Sequence, residues 1–299
     1  QGMTAGMFIM LTVIAALAVV GASLRAYWPT ALTAIGVGGL MIWLKGLSAL
    51  VGIKGGLIVE LIVPIAMVSL GVDFAVHATR RYQEERNLGI APRAALQAAM
   101  TGVIGALVLA MLSDSIAFLS NVPSGIEAVV HFGLAAGIAV ISSFCILGIV
   151  LPLALMKIDE LLDTRRSGNK LPAWLPLAAA GGVTALTGTG VILLVAIDNA
   201  IGTGVLLASA VVFVLAPVLA LRLRKPDQTS STLIRNPGPL MKSAWVEQLV
   251  TGLASHHKIL LPIVAVLTVG AMVLALRLEA TFDVKDFFSE DSDLVIGLD

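Results

Sequence analysis

Runs of about 20 apolar residues, the length that spans a bilayer core of about 30 Å, recur eight times along this chain. Their approximate cores are 4–24, 29–50, 56–79, 98–119, 128–156, 172–197, 201–222 and 259–277. A segment of that kind has no water to satisfy its backbone inside a membrane, so it must be helical. The expected fold class is therefore an all-α polytopic membrane protein with about eight transmembrane helices. Composition agrees. Of the 299 residues, 58% are hydrophobic and 13% charged, against about 25% charged in soluble domains. Only a bilayer solvates so much apolar surface.

Orientation follows from the basic residues. If the first helix enters from outside, 19 Lys and Arg residues fall on the cytoplasmic side except Lys45, Lys54, Arg277 and Lys285, as the positive-inside rule requires. The expected location is the cell (inner or plasma) membrane, crossed many times. Residues 1–158 form a helix bundle and 159–225 contain two further membrane helices. Residues 226–257 make a cytoplasmic linker, in which Leu240, Trp245, Leu249 and Leu253 have the spacing of an amphipathic surface helix, although a plain linker fits the same residues. Residues 258–278 supply the last span, and the acidic segment 279–299 opens an extracytoplasmic domain. The N-terminus lacks a basic n-region and a cleavage site. Both ends have the pattern of a piece of something longer.

One span carries a costly residue. In Gly56–Arg86, an apolar run ends in the charged stretch ATRRYQEER, and Asp73 lies about two turns before Arg80. An acid at the centre of a membrane helix costs about 2.5–3.5 kcal/mol on insertion scales and marks a functional site, usually a proton or ion relay. The alternative is a structural Asp paired with a neighbouring helix. His77, one turn on and on the same face, is either a second relay station or an interfacial side chain. Asp114, flanked by Ser113 and Ser115, either shares a proton or cation with Asp73 or lies in the outer interface, if its helix ends near Ser113. Glu60 is an entrance residue or an ordinary interfacial acid, and Glu127 and His131 have the same two readings. The motif GLAAG at 133–137 has the small-xxx-small spacing of helix packing.

Other chemistries find no support. No Cys/His cluster has zinc spacing and no phosphate-cradling loop is present, so neither metal nor cofactor is expected. The serines show no nucleophile elbow and no accompanying base, so the chain is not expected to be an enzyme. The basic residues flank helices, which argues against nucleic acid. Cys145 is the single cysteine, so no intrachain disulfide forms.

Four stretches together resemble the RND superfamily, and most nearly its MMPL-like and hopanoid-exporter-like branch: 24–53, 69–86, 101–120 and 131–156. In that family a membrane helix carries Gly-Val-Asp-Tyr/Phe and runs into Arg-Tyr-x-Glu-Glu. Gly71, Val72, Asp73, Phe74, Arg81, Tyr82, Glu84 and Glu85 match in order. The segment from His256 to Phe288 resembles the helix that opens each half of the family. The resemblance implies helices two to six of the first half, then the seventh, of an incomplete RND-type membrane domain. It implies proton coupling at Asp73, driven by the proton gradient, and export of lipids or other hydrophobic molecules. Its partners would be the lipid bilayer, that substrate, a missing second half and possible further copies of itself. Three departures stand out: Phe74 where some members have Tyr, the extra acid Asp114, and the two helices inserted at 172–222. The competing expectation is a non-transporting lipid- or sterol-sensing scaffold of the same superfamily.

Overall fold

The computed structural model describes residues 2–24, 26–54, 56, 58–164, 174–223 and 257–275. The expected amphipathic helix from Pro239 and the acidic segment 279–299 lie outside the described residues. Helices account for nearly all the described chain, and no strand occurs among those residues. The elements are α1 (Gly2–Leu24), α2 (Tyr27–Val51), α3 (Val63–Asn87), α4 (Pro92–Leu119), α5 (Glu127–Ser143), α6 (Leu151–Thr164), α7 (Trp174–Ala196), α8 (Asn199–Ala210), α9 (Ala216–Leu223) and α10 (His257–Ala275). Three π-helical turns interrupt this order. Ile58–Ile62 leads into α3, Phe144–Val150 joins α5 to α6, and Val211–Leu215 joins α8 to α9.

Among the described residues, seven helical stretches are long and apolar enough to cross a membrane: Met7–Leu24, Tyr27–Val51, Val59–Asn87, Pro92–Ser124, Glu127–Asp163, Leu175–Val195 and Asn199–Arg222. The eighth expected span corresponds to α10, whose apolar run, Leu261–Leu274, is shorter. The chain is a multi-pass, all-α membrane protein. Its surface says the same: Leu109 is 69%, Ile116 66% and Val266 70% exposed. Side chains of that size and kind on an outer face suit lipid rather than water.

The helix α2 is the central post. It packs against α1, α3, α5, α7 and α10, and Ala31, Ala34, Val37, Leu40 and Met41 are buried along it. Gly52 ends it with φ 75°, donating its N–H to the carbonyls of Ser48 and Ala49, a left-handed stop that suits glycine. Gly89 (φ 79°) turns the chain from α3 into α4, and Pro92, at the first turn of α4, needs no intrahelical donor there.

The hairpin α7–α9 docks on α1 and α2. Lys45 Nζ donates to the Leu194 carbonyl at 2.9 Å and to Asn199 Oδ1 at 2.7 Å. A cation therefore meets the C-terminal end of α7, where free carbonyls concentrate negative potential. At the other end of the hairpin the Tyr27 hydroxyl donates to the Phe213 carbonyl at 2.7 Å. Helix α10 lies along α2: Gly46 meets the Ala271 backbone and Trp43 Nε1 donates to Thr268 Oγ1 at 2.8 Å.

Candidate functional site on the third helix

The motif residues divide between two faces of α3. Gly71 approaches the π turn between α5 and α6 so closely that a Cβ there would stand 2.9 Å from Leu147 Cδ1 and 3.3 Å from Ser143 Oγ. Ser143 Oγ donates to the Met67 carbonyl at 3.3 Å, one turn earlier on α3. Phe74 meets Phe144 edge-on, with ring centroids 5.7 Å apart, and Val72, Phe74 and Ala75 are all buried. Three of the four motif residues thus fasten α3 to the bundle.

Asp73 and His77 point the other way. Both are exposed, and the outward stripe continues through Ser69, Arg80 and Glu84. Among the described residues, Asp73 and His77 have no hydrogen-bond or ion-pair partner. The stripe runs from the apolar part of α3 to its charged end, so its inner half lies at hydrocarbon depth.

The charged end is helical to Asn87 and is tied down by polar contacts. Tyr82, fully buried, donates its hydroxyl to Asp159 Oδ2 at 2.8 Å. Arg86 pairs with Asp163 at 2.7 Å and Asp159 at 3.5 Å, and donates to the Ile90 carbonyl at 2.6 Å. Arg81 pairs with the buried Glu85 at 2.6 Å. Glu160 collects Arg93 at 2.6 Å and Lys157 at 2.7 Å. The matched Tyr82 therefore anchors α3 to α6, Arg93 and Glu160 tie α4 to α6, and the matched Glu85 pairs within α3, all beyond the apolar zone.

Asp114 sits elsewhere. Its helix does not end near Ser113 but continues to Leu119. Counted from the Gly89 turn at about 1.5 Å per residue, Asp114 lies roughly 13 Å further toward the Glu60 end than Asp73. It is half-buried, with no hydrogen-bond or ion-pair partner among the described residues. Glu60, half-buried in the π turn before α3, is near enough to act electrostatically on Lys45. Glu127 pairs with Lys54 at 2.8 Å and His131 at 3.5 Å, which clasps the α2–α3 connection to α5. Gly133 and Gly137 let α5 approach Phe118 and Leu119 of α4, as the small-residue spacing predicts.

Lys45 is the ionisable residue that sequence reasoning missed. The charge pattern places it among the outer flanking residues, yet it is half-buried within α2, at the seam with the α7–α9 hairpin. Its signal was available: a lone Lys in MIWLKGLSAL, with apolar residues on both sides.

Against this geometry, residues 28–171 match the sterol-sensing family, described as the sterol-sensing domain of SREBP cleavage-activation. The matched region runs from the start of α2 past the end of α6 and includes Asp73. Domains of that kind occur in RND- and Patched-type membrane proteins. No curated protein and no solved structure matches the chain. The fold is that of a multi-pass all-α membrane protein, and its helices over residues 28–171 are similar to a sterol-sensing domain.

Proposed function

We propose that this chain is the membrane domain of a secondary transporter, in which protonation of Asp73 is coupled to export of a lipid or other hydrophobic molecule. The carrying observation is the division of α3: Gly71, Val72 and Phe74 lock one face, while Asp73 and His77 stand on the other without a hydrogen-bond or ion-pair partner among the described residues. An ionised carboxylate facing hydrocarbon is costly, so it is neutral there or covered by a polar surface. A second set of helices, of the kind the RND resemblance implies, would provide that cover. Neutral and charged Asp73 would then favour different packings of α3 against its partner. One charge moved across 100 mV is worth about 2.3 kcal/mol, enough to bias a two-state bundle. In this reading the membrane is the inner or plasma membrane, the Arg80 end is cytoplasmic, and the transporter is of the MMPL-like branch.

The test is Asp73→Asn in the full-length protein. Gradient-driven export of a fluorescent lipid should fall to background while membrane insertion stays normal. Undiminished export by that variant would overturn the proposal.

The match over 28–171 also favours a second reading, in which the bundle senses a lipid without moving it. Asp73 would then be a contact to a ligand or to another protein. The same variant separates the two: a sensor responds to its lipid with no dependence on a proton gradient.

A further inference from the structure

The outward stripe of α3 differs from the other outer faces of the molecule. Those on α1, α4, α8 and α10 present Leu11, Leu109, Ile201 and Val266, side chains that lipid solvates. Between Val63 and Asn87 no large apolar side chain is exposed. From 63 to 84 the exposed residues are Ser69, Asp73, His77, Arg80 and Glu84. A polar stripe that starts at hydrocarbon depth is costly against lipid and belongs against protein.

The adjoining face of α4 has the shape for such a contact. Counted from the Gly89 turn, Gly105 lies at the depth of Asp73, and Gly102 near that of His77. Both glycines and Ala106 are exposed. A Cβ on Gly105 would meet nothing within 4 Å, and one on Gly102 only Arg81 Nε of α3, at 3.5 Å. No packing among the described residues requires a glycine at either place, although glycine costs a helix about 0.5–1 kcal/mol relative to alanine. Small outward residues do serve close approach by another membrane helix.

The charges say which helix. Along the stripe, Asp73, His77, Arg80 and Glu84 read acceptor, donor, donor, acceptor. Each opposite couple, Asp73 with His77 and Arg80 with Glu84, is about one helical turn apart. A parallel helix with the same pattern, related by a two-fold axis along the membrane normal, offers the counter-pattern: Asp73 of each copy meets His77 of the other. That axis keeps the basic ends of both copies on one side, as the positive-inside rule requires, and a contact that uses one patch twice closes at two copies. The outer couple has partners within one chain, since Glu84 lies 3.9 Å from Arg80 and 3.0 Å from Arg81. The deciding couple is therefore Asp73 and His77.

We propose that the α3 stripe and the glycine face of α4 form a two-fold contact between two copies of this chain, with Asp73 of each copy accepting a hydrogen bond from His77 of the other. The inference rests on the proposed function's premise that Asp73 needs a polar cover in the membrane, and it names that cover.

The experiment uses the full-length protein in lipid vesicles, with copies per complex counted by single-molecule photobleaching at increasing dilution in lipid. Pairs should dominate. In a Cys145→Ala background, Ser69→Cys should give an oxidative cross-link between two chains far faster than Ile201→Cys on the outer face of α8. Asp73→His alone and His77→Asp alone should each weaken pairing about tenfold or more, the loss of charge-assisted hydrogen bonds. Two differently tagged chains, one with Asp73→His and the other with His77→Asp, should pair with each other as well as the unaltered chain does, because the exchange restores both contacts across the axis. Insertion of each variant is checked first; if the exchange variants fail it, copy number and the Ser69→Cys cross-link of the otherwise unaltered stripe decide. Single copies, a Ser69→Cys cross-link no faster than the Ile201→Cys control, or no recovery in the mixed pair would each overturn the proposal. A later half of a longer chain, or another segment lying on the stripe, would give the first two of these results. Pairing is read without transport: pairs that form while Asp73→Asn still exports lipid overturn the proposed function alone, and single copies that lose export with Asp73→Asn overturn this inference alone.

Discussion

Gly71 and Asp73 are two residues apart and have opposite demands. A side chain at Gly71 meets Leu147, Ser143 and Leu40, so Gly71→Leu should overpack the junction and cost about 1–3 kcal/mol. Asp73 is exposed and unbonded among the described residues, so Asp73→Asn should change the chain's stability by no more than about 0.5 kcal/mol. Thermal unfolding of both variants in the same detergent checks the pair. Tyr82→Phe removes the hydroxyl that donates to Asp159 and should cost about 0.5–1.5 kcal/mol, read in the same assay. The motif itself was legible in the sequence, since an acid in an apolar helix stands out. Which way each motif residue faces was not. In a membrane helix the lipid side and the core side are both apolar, so the contrast that reveals a buried face in a soluble helix is missing.

At the scale of elements, the α7–α9 hairpin is held by Lys45 as well as by shape. Lys45→Met would remove the two hydrogen bonds that Lys45 donates to the Leu194 carbonyl and Asn199 Oδ1 and should cost about 1–3 kcal/mol. Hydrogen exchange should quicken in the last turn of α7 and the first of α8, while α3 and α4 keep their protection. Helix count and order were legible, because length and hydropathy are local properties. The helix ends were less so. The charged tail RRYQEER extends α3 to Asn87, where Arg81 and Glu85 pair one turn apart and Tyr82 and Arg86 find partners on α6; the partners on α6 are invisible to a local reading. Likewise, the π turn at Phe144–Val150 leaves no mark in an apolar stretch that reads as one uniform span.

For the whole molecule, the hairpin preserves sidedness, because two spans return the chain to the same side. Removing residues 174–223 should leave α1–α6 with unchanged orientation, checked by protease protection of tags placed before α1 and after α6. A reversed or mixed orientation would show that the hairpin directs insertion.

The rod formed by α5, its π turn and α6 runs from Glu127 to Thr164. At about 1.5 Å per residue it measures roughly 57 Å, nearly twice a hydrocarbon core of about 30 Å. It is gripped twice by the same neighbour, at Gly71 within the membrane and at Tyr82 and Arg86 beyond it. The stretch between Leu147 and Asp163 is an arm of roughly 24 Å. A tilt of about ten degrees at the inner grip would swing its tip by about 4 Å on this geometry. An event confined to the hydrocarbon interior would thus be felt as displacement in the aqueous phase, with no signal crossing except the rigidity of the helix itself.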